Sequence, residues 1–351
     1  MTDIIVIGGG IAGVSAAARL SEGARVTLVE GESALGYHAS GRSAALFEQN
    51  YGLPPVIALN KASAAYHQPY LSPRGFLLVA RAGEDDGFEA DAKTLKCPEI
   101  SVAEARSHVP ILNDHIIRAA YHADAWDIDT DRMIQDFAKT VRANGGQVLT
   151  GHKVTAITRG KAWTVRCGDV VLSADTLVNA AGAWADQVAT MAGVHPIGIT
   201  PHRRSMARLP APAGHDVSAW PIFFGVGEAW YAKPDAGKLL VSPADEDAVE
   251  PHDAWADDLV LAEGLDRYSQ HVTSPVARVE TSWAGLRSFA PDRCLVLGRD
   301  AQVPDFVWCA GQGGYGFQTA PAASQLLADL VLGAAPEIEA ATLESLSPAR
   351  F

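Results

Sequence analysis

The period of hydrophobic and polar positions changes along the chain, and each change marks an element. Ile4-Ile5-Val6-Ile7 is an unbroken β-branched run, the pattern of a strand covered on both faces. A glycine turn follows it. Ala12 to Leu20 is small and apolar throughout, as a helix packed closely on a sheet must be, and Gly23 is placed to end it. Arg25–Val29 is the next strand, with Glu30 at its end. Strand, turn, helix and strand within about 30 residues form one βαβ unit.

From Gly31 to Gly52 the chain is rich in Gly, Ser and Ala, and Ile57 to Ala120 mixes short helical and strand signals broken by Pro and Gly. An amphipathic helix begins near Asp129 or Thr130, either of which can cap it. Ile134, Phe137, Ala138 and Val141 form its apolar face, and Asn144-Gly145-Gly146 ends it. Strands are predicted at Val154–Ile157, Ala162–Cys167 and Val170–Leu172, and Thr176 to Gly182 reads as a strand entering a glycine turn. Between 200 and 290 the texture shifts to more Pro, Trp and charge, with strand-like pieces at Pro221–Gly225, Trp230–Ala232 and Lys238–Val241. The earlier pattern then returns as strands at Cys294–Leu297 and Phe306–Cys309, a glycine turn at Gly311–Gly316 and a helix at Pro321–Leu332. Nucleotide-type elements thus lie at both ends and in the middle, with two other stretches inserted between them.

Composition narrows the class. A chain of 351 residues suits one large or two interleaved domains. The apolar share of 48% against 20% charged is a globular balance rather than a disordered one. A formal net charge of -13 repels phosphate backbones and so argues against nucleic acid as a partner. Cys97, Cys167, Cys294 and Cys309 form no CxxC pair, and no His/Cys set has metal spacing, so no metal is expected. Four scattered buried thiols fit a reducing cytoplasm better than a disulfide framework. The apolar run Ile4 to Leu20 looks like a leader or a membrane span. Asp3 before it, the lack of a basic flank, and Gly8, Gly9, Gly10 and Gly13 inside it argue for strand, turn and helix instead. A soluble cytoplasmic protein without stable membrane insertion is the expectation.

The strongest motif is Gly8-x-Gly10-x-x-Gly13 followed by Glu30. In this pattern the first Gly makes the tight turn, the second lets the backbone approach a pyrophosphate, and the third lets helix and strand pack closely. The pyrophosphate rests on exposed N–H groups at the helix N-terminus, and the acid about 20 residues on bonds ribose hydroxyls. The motif alone does not separate FAD from NAD. Two later backbone turns, Asn179–Trp184 and Gly311–Gly316, are more than a nicotinamide dinucleotide needs. They suit FAD lying across the sheet with a helix N-terminus aimed at its ring, which would stabilise the anion of the reduced flavin.

The Gly8–Gly13 fingerprint, Ser40-Gly41-Arg42-Ser43, the Asn179–Trp184 turn, Trp283-Ala284-Gly285-Leu286-Arg287 and the Gly311–Gly316 turn together resemble the D-amino acid oxidase superfamily of FAD-dependent oxidoreductases. Within it the chain resembles the bacterial FAD-dependent D-arginine dehydrogenases. That likeness extends to Gly36-Tyr37-His38, Leu71-Ser72-Pro73-Arg74, Asp127–Asp131, Arg203-Arg204-Ser205 and Tyr231-x-Lys233-Pro234-Asp235-Ala236-Gly237. The resemblance implies that Arg204 and Arg287 clamp a substrate carboxylate, a role the planar guanidinium fork suits. A single Arg is more often a surface ion-pair partner, but few acids neighbour Arg287 in sequence. Tyr51, Tyr231 and Tyr315 match pocket tyrosines. The cofactor contacts implied are Gly8, Gly10, Ile11, Ala12, Gly13, Glu30, Gly31, His38, Ser40, Arg42, Ser43, Ala44, Val154, Ala181, Gly182, Trp184, Gly313, Gly314, Tyr315, Gly316, Phe317 and Gln318. Some relatives bind flavin covalently through a histidine in a loop like that of His38; the D-arginine dehydrogenases do not, so FAD is expected to be non-covalent.

Two departures change the expected substrate. The likeness puts a glutamate that holds a substrate guanidinium where this chain has Phe76, and a pocket histidine where it has Leu46. A cationic side chain buried there without its carboxylate would be costly, which favours apolar or aromatic substrates; Glu48 is the one nearby acid. The expected architecture is α/β (α+β, two-domain): a Rossmann-like FAD domain from 1–45, 129–197 and 291–351, interleaved with a substrate domain from 46–128 and 198–290 built on a mostly antiparallel sheet. The expected reaction is oxidative deamination of a small amino acid of D configuration. Hydride would pass from Cα to flavin N5, giving an imino acid that hydrolyses to a 2-oxo acid and ammonia, with a quinone or O2 as final acceptor. The alternatives are oxidation of a secondary amine (sarcosine- or proline-like) or of a 2-hydroxy acid, a flavin-containing ligand-binding or interaction protein, and an NAD-dependent dehydrogenase.

Overall fold

The computed structural model describes residues 3–351. Strand Asp3–Ile7 lies inside a six-stranded sheet ordered Val296–Arg299, Phe306–Ala310, Thr176–Asn179, Asp3–Ile7, Arg25–Val29 and Gln147–Leu149. All neighbours run parallel except the first pair. The β-branched run is explained by cover on both faces. Ile4 and Val6 pack toward helices Ile11–Leu20, Thr130–Ala143 and Gly316–Leu332. Ile5 and Ile7 pack against Trp163 and Val165 of an antiparallel sheet made of Ala156–Arg159, Trp163–Cys167 and Val170–Ala174. Asp129 caps helix Thr130–Ala143 by accepting the Arg132 N–H at 3.1 Å, and Ile134, Phe137, Ala138 and Val141 are its buried face.

The second large sheet has eight strands: Thr281–Phe289, Thr200–Pro210, Lys238–Ser242, Tyr231–Asp235, Ile222–Gly225, Phe76–Arg81, Ile116–His122 and Glu99–Ile100. Only Ile222–Gly225 and Phe76–Arg81 pair in parallel. Strand alternation divides its residues between two faces. Leu77, Val79, Ala207, Phe223, Ala232 and Val241 pack under helices Val102–His108 and Asp258–Ser269. Phe76, Leu78, Met206, Ile222, Phe224 and Tyr231 face the opposite way, and most of them line a cavity against the first sheet's glycine turns. A small sheet of Leu46–Glu48, Ala125–Ile128 and Leu71–Pro73 closes one side.

Several elements depart from expectation, among them strands Thr200–Pro210 and Thr281–Phe289, which the sequence pattern did not mark. The predicted strand Val154–Ile157 begins only at Ala156, and Val154 lines the cavity instead. The strand expected at Cys294–Leu297 is Val296–Arg299, because Asp292 first turns the chain by accepting the Cys294 N–H at 3.0 Å. The final helix starts at Gly316, five residues before Pro321, so the proline lies inside the helix. The mixed stretch from Ile57 conceals a helix, Pro54–His67, opened by its two prolines. All four cysteines are free and buried. Among the described residues no helix is long and apolar enough to cross a membrane.

Candidate active site

The glycine turns build a cradle that side chains would fill. Gly8 holds φ +108°, and a Cβ there would lie 2.3 Å from the Ala180 carbonyl oxygen. A Cβ on Gly13 would lie 1.8 Å from the Gly8 carbonyl oxygen. Helix Ile11–Leu20 therefore meets strand Asp3–Ile7 at backbone contact. Its N-terminus has no side-chain cap and no acid in its first turn, apart from Ser40 Oγ accepting the Ile11 N–H at 3.0 Å. Glu30 accepts the Gly9 N–H at 2.6 Å and the Glu32 N–H at 2.8 Å, which fixes its carboxylate at the end of strand Arg25–Val29. Helix Gly316–Leu332 presents a second uncapped N-terminus to the same cavity, again with no acid in its first turn. Two positive helix ends and a wall without side chains fit the pyrophosphate and reduced ring of FAD.

Loop residues complete this side. His38 Nε2 sits 3.0 Å from Glu32, and its ring packs 4.7 Å from that of Trp184. The Arg42 guanidinium donates to the Ala254 and Ala284 carbonyls at 2.8 and 2.9 Å and pairs with Asp253. Its charge is thus engaged in joining the loop to the larger sheet. Gln318 Oε1 accepts the Glu48 N–H at 2.9 Å.

The larger sheet supplies the opposite wall. Arg204 is paired with Gly285 and His202 with Arg287, so Arg204 and Arg287 are diagonal neighbours on one face of two antiparallel strands. Neither has a close carboxylate partner. Arg204 Nε and Nη1 are buried and make no hydrogen bond among the described residues; its nearest acid, Glu246, is 3.9 Å from Nη2. Arg287 lies against the Gly311–Gly316 turn, where a Cβ on Gly314 would come within 3.0 Å of its guanidinium carbon. Burial opposes its charge, but Tyr51, Tyr231 and Glu228 outweigh burial and raise its pKa. The Tyr51 hydroxyl donates to Glu228 at 3.2 Å, and burial, then the Glu228 charge, pushes its pKa up, so it stays a donor. Tyr315 stacks edge-on to Tyr51, with ring centres 5.5 Å apart.

Beyond Arg204 and Arg287 the wall is apolar: Leu46, Phe76, Met206, Ile222 and Phe224, with Phe76 and Phe224 rings 4.5 Å apart. Glu48 is buried in this wall, and its carboxylate receives the Asn50 N–H at 2.7 Å and Asn50 Nδ2 at 3.1 Å. Burial raises its pKa, and burial lowers that of His122, whose Nε2 is 3.9 Å away.

Every residue singled out from the sequence lines this one cavity except Gly13, which lies beneath the Gly8 turn, and Tyr315, which backs Tyr51. Glu228, at the end of the short 3-10 helix Val226–Glu228, and Glu246, in an irregular stretch, were not singled out from the sequence. A local signal for the first existed: Gly225-Val226-Gly227-Glu228 is a glycine-flanked turn, and Glu228 itself adopts φ +51°. Nor were His152 and Lys153, which line the cavity beside Gly31 and Val154, singled out.

Comparison with known proteins places these features in a family. The DAO family, described as FAD dependent oxidoreductase, matches residues 3–330, and the chain belongs to it. Glycine oxidase of Pseudomonas putida is 26% identical over 96% of this chain and 96% of its own. The bovine FAD-dependent oxidoreductase domain-containing protein 1 is 25% identical over 94% of this chain and 81% of its own. Among solved structures, L-proline dehydrogenase from P. horikoshii superposes with a TM-score of 0.84 at 22% identity, covering 100% of this chain and 97% of its own. Glycine oxidase from Geobacillus kaustophilus gives 0.83 at 19%, covering 100% of both. At such identities the structures establish the shared fold. The protein is an FAD-dependent oxidoreductase of the DAO family, of the mixed α/β two-sheet type.

Proposed function

We propose that the protein oxidises a free amino acid of D configuration with an apolar or aromatic side chain, releasing a 2-oxo acid and ammonia. The observation that carries this reading is the pair Arg204 and Arg287: two guanidinium groups on one sheet face, open to the cavity and without a close carboxylate partner. A carboxylate is the group that such a fork accepts in bidentate fashion. FAD, when bound, supplies the two-electron acceptor. The chain's own part is positioning: Arg204 and Arg287 fix the carboxylate, Tyr231 and the protonated Tyr51 flank it, and the Phe76–Phe224 wall keeps water from the reacting carbon. No side-chain base is required when the amine binds neutral. The D configuration rests on the likeness of Leu71–Arg74 and Tyr231–Gly237 to D-arginine dehydrogenases. Phe76 in place of a cation-holding acid supports the apolar side chain. In this reading 1–45, 129–197 and 291–351 hold non-covalent FAD, while 46–128 and 198–290 hold the substrate.

Relatives named glycine oxidase and L-proline dehydrogenase favour a second reading, a small or secondary amine, since the same clamp serves it. The test is the anaerobic visible spectrum of the purified protein before and after D- and L-amino acids, sarcosine, proline and 2-hydroxy acids. Bleaching by D-amino acids with apolar side chains is expected. Bleaching only by secondary amines or hydroxy acids would overturn the substrate assignment. A flavin that no member of the panel bleaches would overturn amino acid oxidation itself. Reoxidation of the reduced protein by O2 or by a quinone then separates oxidase from dehydrogenase.

A further inference from the structure

Arg204 is a largely enclosed cation, with Nε and Nη1 fully buried, and a nearby acid does not close on it. Glu246 Oε1 lies 3.9 Å from Arg204 Nη2, beyond hydrogen-bond reach, although carboxylate and guanidinium pair readily. The reason is a third residue. Arg293 Nη2 lies 2.6 Å from the same Glu246 oxygen and engages it. Arg293 is fixed for that contact. It sits on the turn after strand Thr281–Phe289 at φ +64°, a left-handed conformation uncommon for a residue with a side chain. Its guanidinium carbon lies 3.9 Å over the Phe289 ring, and its own N–H donates to the Ala290 carbonyl at 2.8 Å. Burial pushes the Glu246 carboxyl up, but Arg293, then Arg204 and His202, outweigh burial and lower it, so the acid is an anion facing three basic side chains.

We propose that Glu246 and Arg293 are positioning residues that set the strength of the carboxylate clamp. Arg293 holds Glu246 off Arg204, and Arg204 thereby keeps its free donors for the substrate. Without Arg293, Glu246 turns to Arg204 and competes with the substrate for the same fork. The inference deepens the clamp assignment above and rests on it. The Arg293–Glu246 pair is half exposed, so solvent screens it and the effect is graded, roughly fivefold in affinity.

The experiment is calorimetric titration of the FAD-loaded protein with propionate, a carboxylate with nothing to oxidise. The proteins compared are wild type, Arg293→Met, Glu246→Gln and the double variant. Arg293→Met should weaken propionate roughly fivefold. The double variant should return to the wild-type value, because the competing acid is gone. With an oxidised substrate KM should follow the same order while kcat holds. Unchanged propionate affinity in Arg293→Met overturns the inference. So does a double variant as weak as Arg293→Met, since Arg293 would then act through the turn it sits on. If Arg293→Met does not fold, Arg293→Lys carries the test: a smaller loss restored by Glu246→Gln supports the inference, and an unrestored loss or no loss overturns it. A wild type that does not bind propionate removes the clamp and the proposed function together. Normal wild-type binding with an unaffected Arg293 variant removes this inference alone.

Discussion

Replacing Arg287 by alanine tests the clamp most directly. The side chain forms no ion pair among the described residues, so its removal unpairs no protein acid except the more distant Glu228, which retains Tyr51. The fold and the FAD cradle on the other sheet should survive. On the proposed assignment, what is lost is half of a desolvated guanidinium–carboxylate contact. Truncating one partner of such a pair costs about 2–5 kcal/mol, which is about thirtyfold to several-thousandfold in Kd. Arg287→Lys keeps the charge but not the fork, and the space against Gly314 that a planar guanidinium fills is then unfilled, so it should recover only part of the loss. The assay has three readings on each variant: flavin content from the visible spectrum, substrate Kd from anaerobic titration, and KM beside kcat. The expected result is full flavin, weak substrate, and partial recovery with lysine. Wild-type Kd and KM in Arg287→Ala would refute the assignment. Loss of flavin with substrate affinity retained would show that Arg287 serves the cofactor.

Other predictions test other parts of the site. Gly13→Ala puts a methyl 1.8 Å from the Gly8 carbonyl oxygen, so the variant should purify without flavin, and a stoichiometric flavin-to-protein ratio would contradict the cradle. Glu30→Gln keeps an oxygen for the Gly9 N–H but loses the charge; FAD affinity measured by reconstituting apoprotein should fall about tenfold or more. Phe76→Ala should shift relative kcat/KM toward bulkier side chains and cost about 3 kcal/mol of stability. Burial holds His67, His122 and His271 below their ordinary pKa, so below about pH 6.5 the unfolded chain binds protons that the native state does not. Their contribution to stability is present above that pH and is lost as pH falls toward their native pKa values. Glu48, raised by burial, works in the opposite sense above its ordinary pKa of 4.5, but it is one group against three. The melting temperature should therefore drop between pH 7 and 5, and a flat profile would contradict the burial of these imidazoles.

What was legible in the sequence is what steric necessity writes there. The Gly8–Gly13 turn was readable because no other residue fits beneath Ala180 and beside helix Ile11–Leu20. Strand Arg25–Val29 was readable because its period and its ends coincide. Helix Pro54–His67 was not, although it is 14 residues long. Its buried face is largely polar: Asn60 donates to the Tyr51 carbonyl at 3.0 Å, Ser63 to Thr319 at 3.4 Å, and His67 Nε2 lies 2.9 Å from the Gln318 carbonyl. Those residues recur at helical spacing but carry no hydrophobic signal. They anchor the Tyr51 loop and the helix end behind the cavity. The start of helix Gly316–Leu332 was misplaced for a related reason. A proline normally marks the first turn, yet here it stands five residues in, so the first turn is left to the cavity. Glu246 was invisible because an acid in a loop gains meaning only from the arginines that folding brings beside it, and the glycine-flanked turn that carries Glu228 gives no hint of the Tyr51 and Arg287 it faces.

The eight-stranded sheet separates two demands by strand alternation. The face carrying Leu77, Phe223, Ala232 and Val241 is closed by Trp230, Tyr268 and two helices, and it makes the contacts that hold this half together. The other face carries Arg204, Arg287 and Tyr231, which line the cavity, and Arg204 Nε and Nη1 have no hydrogen-bond partner among the described residues. An unpartnered buried guanidinium is unfavourable for folding. Its cost is tolerable here because the apolar packing lies on the opposite face of the same strands, one residue away at each step. The two roles therefore alternate along a single strand: Arg204 and Met206 face the site, while Ala207 and Leu209 face the core. Substitutions at alternate positions of Thr200–Pro210 should accordingly lose either substrate affinity or stability, but seldom both.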